Sequence, residues 1–286
     1  MKRGICILTA FALAAGLAGC QSRAGETRAA AAEGRTLADT EAVQKAREET
    51  EAKEAEGTGT AEAGTEETGT AGNPASNGIL VALDPGHQAP EVDMSGTEPN
   101  APGSQEMKTQ ATGGTTGSYS GIGEYELNLD IARMVRDELE ARGYEVVMTR
   151  EDNQTAISNA QRAQLANEAG ADIAVRIHAN GSENPSASGA LALIPSAENP
   201  WVGNLYEPSA YLAECILNSY CQATGFANQG IQTNDTMTGI NWSRIPVVIL
   251  EMGFMTNQND DLRMADPQFR TQMVQGIVNG IEAYFL

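Results

Sequence analysis

From Gly78 onward the chain alternates short apolar runs with amphipathic stretches. Ile79–Leu83 is wholly apolar and ends at Asp84-Pro85-Gly86, the pattern of a buried strand meeting a tight turn. Leu127, Ile131, Met134, Val135 and Leu139 recur at helical spacing, and Gly143 marks where that helix stops. Tyr144–Thr149 predicts the next strand, and Ala160, Ala163 and Ala166 share one face of a second helix. Ile173–His178 and Ala190–Ile194 predict strands, Tyr211–Ala223 a helix, and Pro246–Glu251 a last buried strand. Asp266-Pro267 offers an N-cap followed by proline at the first helical position, opening a C-terminal helix that runs to about Ala283. Strands apolar on both faces, alternating with helices, predict an α/β domain over 78–286. Its expected form is three-layered: a largely parallel twisted sheet covered by helices on both faces.

Two stretches fall outside this rhythm. Residues 88–121 are rich in Gly, Pro, Ser and Thr and hold no core-forming run, so they read as a loop insertion; loops of that length usually carry function or are disordered. Residues 21–77 are rich in Ala, Glu, Gly and Thr and have almost no large apolar side chain to offset the entropy of ordering. They read as a disordered acidic tether. Ahead of them, Lys2 and Arg3 precede an apolar run, Gly4–Leu17, too short for a comfortable permanent span. That run closes in Leu17-Ala18-Gly19-Cys20, which resembles a bacterial lipoprotein signal cut before the cysteine. Residues 1–20 are therefore expected to be a signal peptide, and Cys20 a lipidation site. The expected location is outside the cytoplasmic membrane or in the periplasm, held by the lipid anchor only.

Charge narrows the partners. With 18 basic against 38 acidic residues the formal net charge is −20, which disfavours a nucleic-acid surface, because phosphate binding needs clustered cations. Cys215 and Cys221 lie in one predicted helix, where six residues turn the thiols about 240° apart, so buried free thiols are expected rather than a disulfide.

The chain contains two histidines, and both follow predicted strands. His87 comes after Ile79–Leu83 across the Asp-Pro-Gly turn; His178 ends the strand that starts at Ile173. Sites in open α/β sheets form beyond the carboxyl ends of strands, so two histidines delivered there can reach one point. Glu251 closes a run of apolar residues at the same rim, where a carboxylate is costly unless paired or functional. Glu124 and Glu126 sit in the first turn of the helix near Tyr125, where the helix dipole alone would favour either. Two histidines and a glutamate form a catalytic type of Zn²⁺ site, with a position left for water and a further carboxylate able to act as base.

The ordered motifs are Asp84-Pro85-Gly86-His87, Gly121-x-x-Glu124-x-x-Leu127-Asn128-Leu129, Thr149-Arg150, Ile177-His178-Ala179-Asn180 and Glu251-Met252-Gly253-Phe254-Met255-Thr256-Asn257. Over about 78–286 the chain resembles the zinc-dependent N-acetylmuramoyl-L-alanine amidases of family 3. The resemblance implies a catalytic domain with one Zn²⁺ per chain, held by His87, Glu124 and His178, with Glu251 as the catalytic carboxylate. It implies cleavage of the amide between N-acetylmuramic acid and L-alanine in peptidoglycan, by an enzyme expected to be monomeric. Two rival readings are a zinc peptidase acting on stem peptides and a catalytically silent peptidoglycan-binding lipoprotein. The chain departs from the family in two places. Thirty-six residues separate His87 from Glu124, where relatives have a short segment, so 88–121 is a candidate for a lid, a substrate contact or the site of a regulatory partner. Arg176 replaces a small Ser, and is expected to pair with Glu251 or with a substrate carboxylate; Arg176 and Asn180 are the candidate substrate contacts.

Overall fold

The apolar runs become the inner strands of one sheet, and the periodic stretches become the helices that cover it. The computed structural model describes residues 75–286, so the expected signal peptide 1–20, Cys20 and tether residues 21–74 lie outside the described residues. In chain order the elements are β1 (Leu80–Pro85), β2 (Thr97–Pro99), β3 (Met107–Thr109), α1 (Glu124–Ala141), β4 (Glu145–Met148), α2 (Asn159–Glu168), β5 (Ile173–Asn180) and β6 (Ala190–Ile194). There follow α3 (Tyr206–Thr224), β7 (Asn228–Thr233), α4 (Thr238–Asn241), β8 (Val247–Phe254), α5 (Gln258–Ala265) and α6 (Pro267–Phe285).

The sheet order is β4-β1-β5-β8-β6-β7. Strands β1, β4, β5 and β8 run parallel, β6 runs antiparallel to β8, and β7 pairs parallel with β6. The chain steps outward from β1 to β4 and returns on the other side of β1 to β5. The crevice at a doubly wound sheet's switch point therefore opens above the carboxyl ends of β1 and β5. Alternation along the strands feeds two cores. Val81, Leu83, Val175, Ile177, Val248 and Leu250 pack under α1, α3 and α6, while Leu80, Ala82, Ala174, Val247 and Ile249 face Ala166 of α2, Leu205 and Ile240. The expected largely parallel sheet between helical layers is what forms.

Caps fix where the helices begin. Ser158 Oγ accepts from Gln161 N at 3.3 Å while Gln161 Oε1 accepts from Ser158 N at 2.9 Å, a reciprocal capping box on α2. Asp266 accepts from Gln268 N at 2.9 Å ahead of Pro267. Cys215 and Cys221 both lie on α3 and form no disulfide; each is half-buried rather than buried. Burial pushes the Cys221 thiol up to about 11.

The insertion 88–121 is built differently from the loop expected of its composition. It carries the hairpin β2–β3, and Ala89, Met94, Ala101 and Ala111 are buried. The buried Glu98 carboxylate accepts from Ser158 Oγ and from Ala160 N at 3.1 Å, tying the hairpin to the start of α2. Scattered alanines, Met94 and one carboxylate do the work that an apolar run does elsewhere.

Candidate active site

The site sits at the switch point. Strand β1 continues through Asp84-Pro85 into a turn in which His87 adopts a left-handed backbone, φ +64°. Strand β5 brings His178 alongside, and the first residue of α1, Glu124, points into the gap with 4% exposure. His87 Nε2 lies 3.1 Å from Glu124 Oε1, His178 Nδ1 lies 3.2 Å from the same oxygen, and the two imidazole nitrogens are 3.2 Å apart. Three ligand-type atoms thus form a nearly equilateral triangle. The edge of a tetrahedron of zinc ligands at roughly 2.0–2.1 Å is about 3.3–3.4 Å, so this donor set fits that ion.

Surrounding groups fix His87 and Glu124, whereas the buried Nε2 of His178 has no hydrogen-bond partner. His87 Nδ1 donates to the carbonyl of Thr112 at 2.8 Å, which leaves Nε2 facing Glu124 and His178. Glu124 accepts from Thr115 N at 2.9 Å, Ala179 N at 3.1 Å and Asn128 Nδ2 at 3.3 Å. Burial alone would raise the Glu124 pKa; its hydrogen bonds with His178 and His87 outweigh burial and hold it well below the usual carboxylate range. Burial pushes His178 down to about 4, so its ring is neutral and able to ligate at physiological pH. A Cβ on Gly86 would lie 2.1–2.5 Å from His178 ring atoms, and one on Gly114 would lie 2.6 Å from Glu124 Oε2. Backbone without side chains lets both rims close.

Glu251 pairs in register with His178 on the neighbouring strand β8 and shares its face of the sheet. Burial, reinforced by the negative charge of Glu124 and only partly offset by Arg176, pushes its carboxyl up to about 8. Glu126, by contrast, accepts from Gly123 N at 3.0 Å in the first turn of α1, which is a cap.

Arg176 does not do what its position suggested. Its Nε donates to Asp84 Oδ2 at 2.6 Å and its Nη2 to Asn159 Oδ1 at 2.8 Å, and the side chain is 6% exposed. Its ion pair is with Asp84, the register partner on β1, and it acts on Glu251 only through its charge. Asn180 ends β5 with its side chain turned back on Gly181 N at 2.8 Å. Arg162 was missed altogether. It lies wholly buried under the His87 turn, and an arginine in an alanine-rich helix reads from sequence as a solvent-facing residue. Thr115 contributes a backbone N–H, which no motif records, and Thr112 meets His87 Nδ1 with both its carbonyl and its hydroxyl from within the insertion.

Comparison with known proteins adds a family. The family described as N-acetylmuramoyl-L-alanine amidase matches residues 81–283. The amidase LytC of Bacillus subtilis is 30% identical over 168 residues, which cover 58% of this chain and 32% of LytC; the match spans about a third of that relative's length. The amidase Rv3717 of Mycobacterium tuberculosis is 26% identical over 215 residues, 72% of this chain and 86% of Rv3717. Among solved structures, the amidase Ami1 from Mycobacterium smegmatis superposes with a TM-score of 0.66 at 27% identity, covering 74% of this chain and 98% of Ami1.

Proposed function

This chain belongs to the N-acetylmuramoyl-L-alanine amidase family, and from that premise we propose that it is a zinc-dependent enzyme hydrolysing the amide between N-acetylmuramic acid and L-alanine in peptidoglycan. One observation carries the metal reading. Residues far apart in sequence, His87, Glu124 and His178, bring one donor atom each to a common point, with Glu251 beside them.

In this reading His87 Nε2, Glu124 Oε1 and His178 Nδ1 would hold one Zn²⁺ per chain. When bound, the ion supplies Lewis-acid chemistry, polarising a carbonyl and making water a competent nucleophile near neutral pH. Glu251 does the proton work: it takes a proton from the attacking water and returns it to the departing nitrogen of L-alanine. A carboxyl raised to about 8 without a cation is drawn down by a nearby positive charge, toward the range that suits a base at neutral pH. The Thr112 carbonyl keeps the His87 tautomer that presents Nε2.

Residues 78–286 are the catalytic domain of this proposal. The Lys2-Arg3 start, the Gly4–Leu17 run and Cys20 support a lipid-anchored enzyme facing the wall, joined to its anchor by 21–77. Among the described residues no helix is long and apolar enough to cross a membrane. The test is digestion of peptidoglycan by the purified protein with and without a chelator, followed by product identification. Free L-alanine amino termini and peptide-free glycan are expected, and only without the chelator. New termini elsewhere in the stem would favour a peptidase, and intact peptidoglycan a silent binder.

A further inference from the structure

Arg162 is 1% exposed, on a helix whose other buried side chains facing the sheet are alanines. Burying a guanidinium costs more than a single ion pair returns unless its donors are all used. Here they are. Nε donates to Ile157 O at 3.3 Å, Nη1 to Asp84 Oδ1 at 2.7 Å and Pro85 O at 2.8 Å, and Nη2 to His87 O and Gln88 Oε1, each at 2.8 Å. Apart from Ile157, these acceptors belong to the five-residue turn that carries His87. From the other side Arg150 donates to Pro85 O at 2.9 Å and Gly86 O at 3.1 Å. The carbonyls of residues 85, 86 and 87 are therefore all captured by guanidinium groups. His87 is also the one non-glycine residue with positive φ among those described, a conformation that persists only where its surroundings over-determine it.

We propose that Arg162 is a positioning residue of the metal site: its guanidinium, aimed by Asp84, holds the His87 carbonyl and the Gln88 side chain and so keeps His87 in the left-handed turn that presents Nε2 to Glu124 and His178. The fork geometry matters as well as the charge. A lysine can face Asp84, but its single nitrogen cannot reach the Pro85 carbonyl, the His87 carbonyl and Gln88 together. The metal-affinity arm of the test rests on the zinc reading above; the spectroscopic arm does not.

Arg162→Lys is compared with wild type in three measurements: Zn²⁺ affinity by competition with a chelating dye, urea unfolding of the metal-free protein, and the His87 Nδ1–H resonance of ¹⁵N-labelled metal-free protein. The chain has only two histidines, so the imidazole spectrum is simple to assign. The expected result is a folded variant whose Zn²⁺ affinity is 10–100-fold weaker, the range for residues that orient metal ligands. Its His87 Nδ1–H signal, held in wild type by the Thr112 carbonyl, is expected to broaden or vanish. A purely structural arginine would lower the unfolding midpoint and leave both other readouts unchanged, and that result overturns the proposal. Should Arg162→Lys not fold, Gln88→Ala removes one acceptor and leaves the Asp84 pair. A two- to tenfold loss of affinity then supports the proposal; no loss overturns it. Wild type that binds no Zn²⁺ sinks the metal reading alone, and the His87 resonance then decides the positioning role.

Discussion

Replacing Glu251 with Gln should stabilise the metal-free protein, and by more at high pH than at low. The folded carboxyl titrates at about 8 against 4.5 for an ordinary glutamate. Between those values the folded state keeps a proton that the unfolded chain has lost, so stability falls as pH climbs from 4.5 toward 8. Integrating the linkage gives a penalty that grows by roughly 3 kcal/mol between pH 5.5 and pH 8.5. Gln keeps the volume and carries no such penalty. The stability gap between Glu251→Gln and wild type should therefore widen by about 3 kcal/mol across that range, whatever constant offset the amide introduces. Taking the difference between two proteins cancels the titration of His178 and Glu124 to first order. The measurement is urea unfolding in chelator, followed by the fluorescence of Trp201 and Trp242, kept at pH 5.5 or above because the isoelectric point is about 4.4. Saturating Zn²⁺ should shrink the gap, since a neighbouring cation favours the ionised carboxylate. A gap that stays constant from pH 5.5 to 8.5 would refute the claim that the site holds Glu251 protonated.

Three other outcomes are expected. Gly86→Ala, whose methyl would overlap the His178 ring, should fold but retain well under one Zn²⁺ per chain by elemental analysis. Glu124→Gln should weaken Zn²⁺ binding at least tenfold, whereas Glu126→Gln, which alters only a first-turn contact, should change stability by less than ~1 kcal/mol and leave metal content near one; the opposite pattern in dye competition would show the ligand assignment displaced by two residues. Cys20→Ser should move the protein from the membrane to the soluble fraction or leave it unprocessed, and unchanged fractionation on immunoblots would remove the lipid-anchor proposal.

What could be read from the sequence depended on whether the relevant signal lay in side chains. Apolar runs located β1, β5, β6 and β8, and apolar periodicity located α1, because burial of those side chains is what forms the elements. Helix α3 begins at Tyr206, five residues before its expected start, because Tyr206, Glu207, Pro208 and Ser209 extend it without an apolar stripe. Strand β7, Asn-Gln-Gly-Ile-Gln-Thr, is an exposed edge and needs no apolar pattern, so none announced it. The two histidines and Glu251 were legible because each follows or closes an apolar run at one rim of the sheet, whereas only the family resemblance separated Glu124 from Glu126. Arg176 was misread because its partner Asp84 had been treated as part of a turn, when it is the register neighbour on β1.

Cys221 of α3 carries a consequence for thiol chemistry. Disulfide exchange and oxidation begin from the thiolate, and a thiol with a pKa of about 11 is ionised to roughly 0.03% at pH 7.5. The raised pKa of Cys221 thus disfavours the thiolate from which attack on oxidants and disulfides starts. A chain can keep such a residue without a bridging partner and drift only slowly into mixed disulfides.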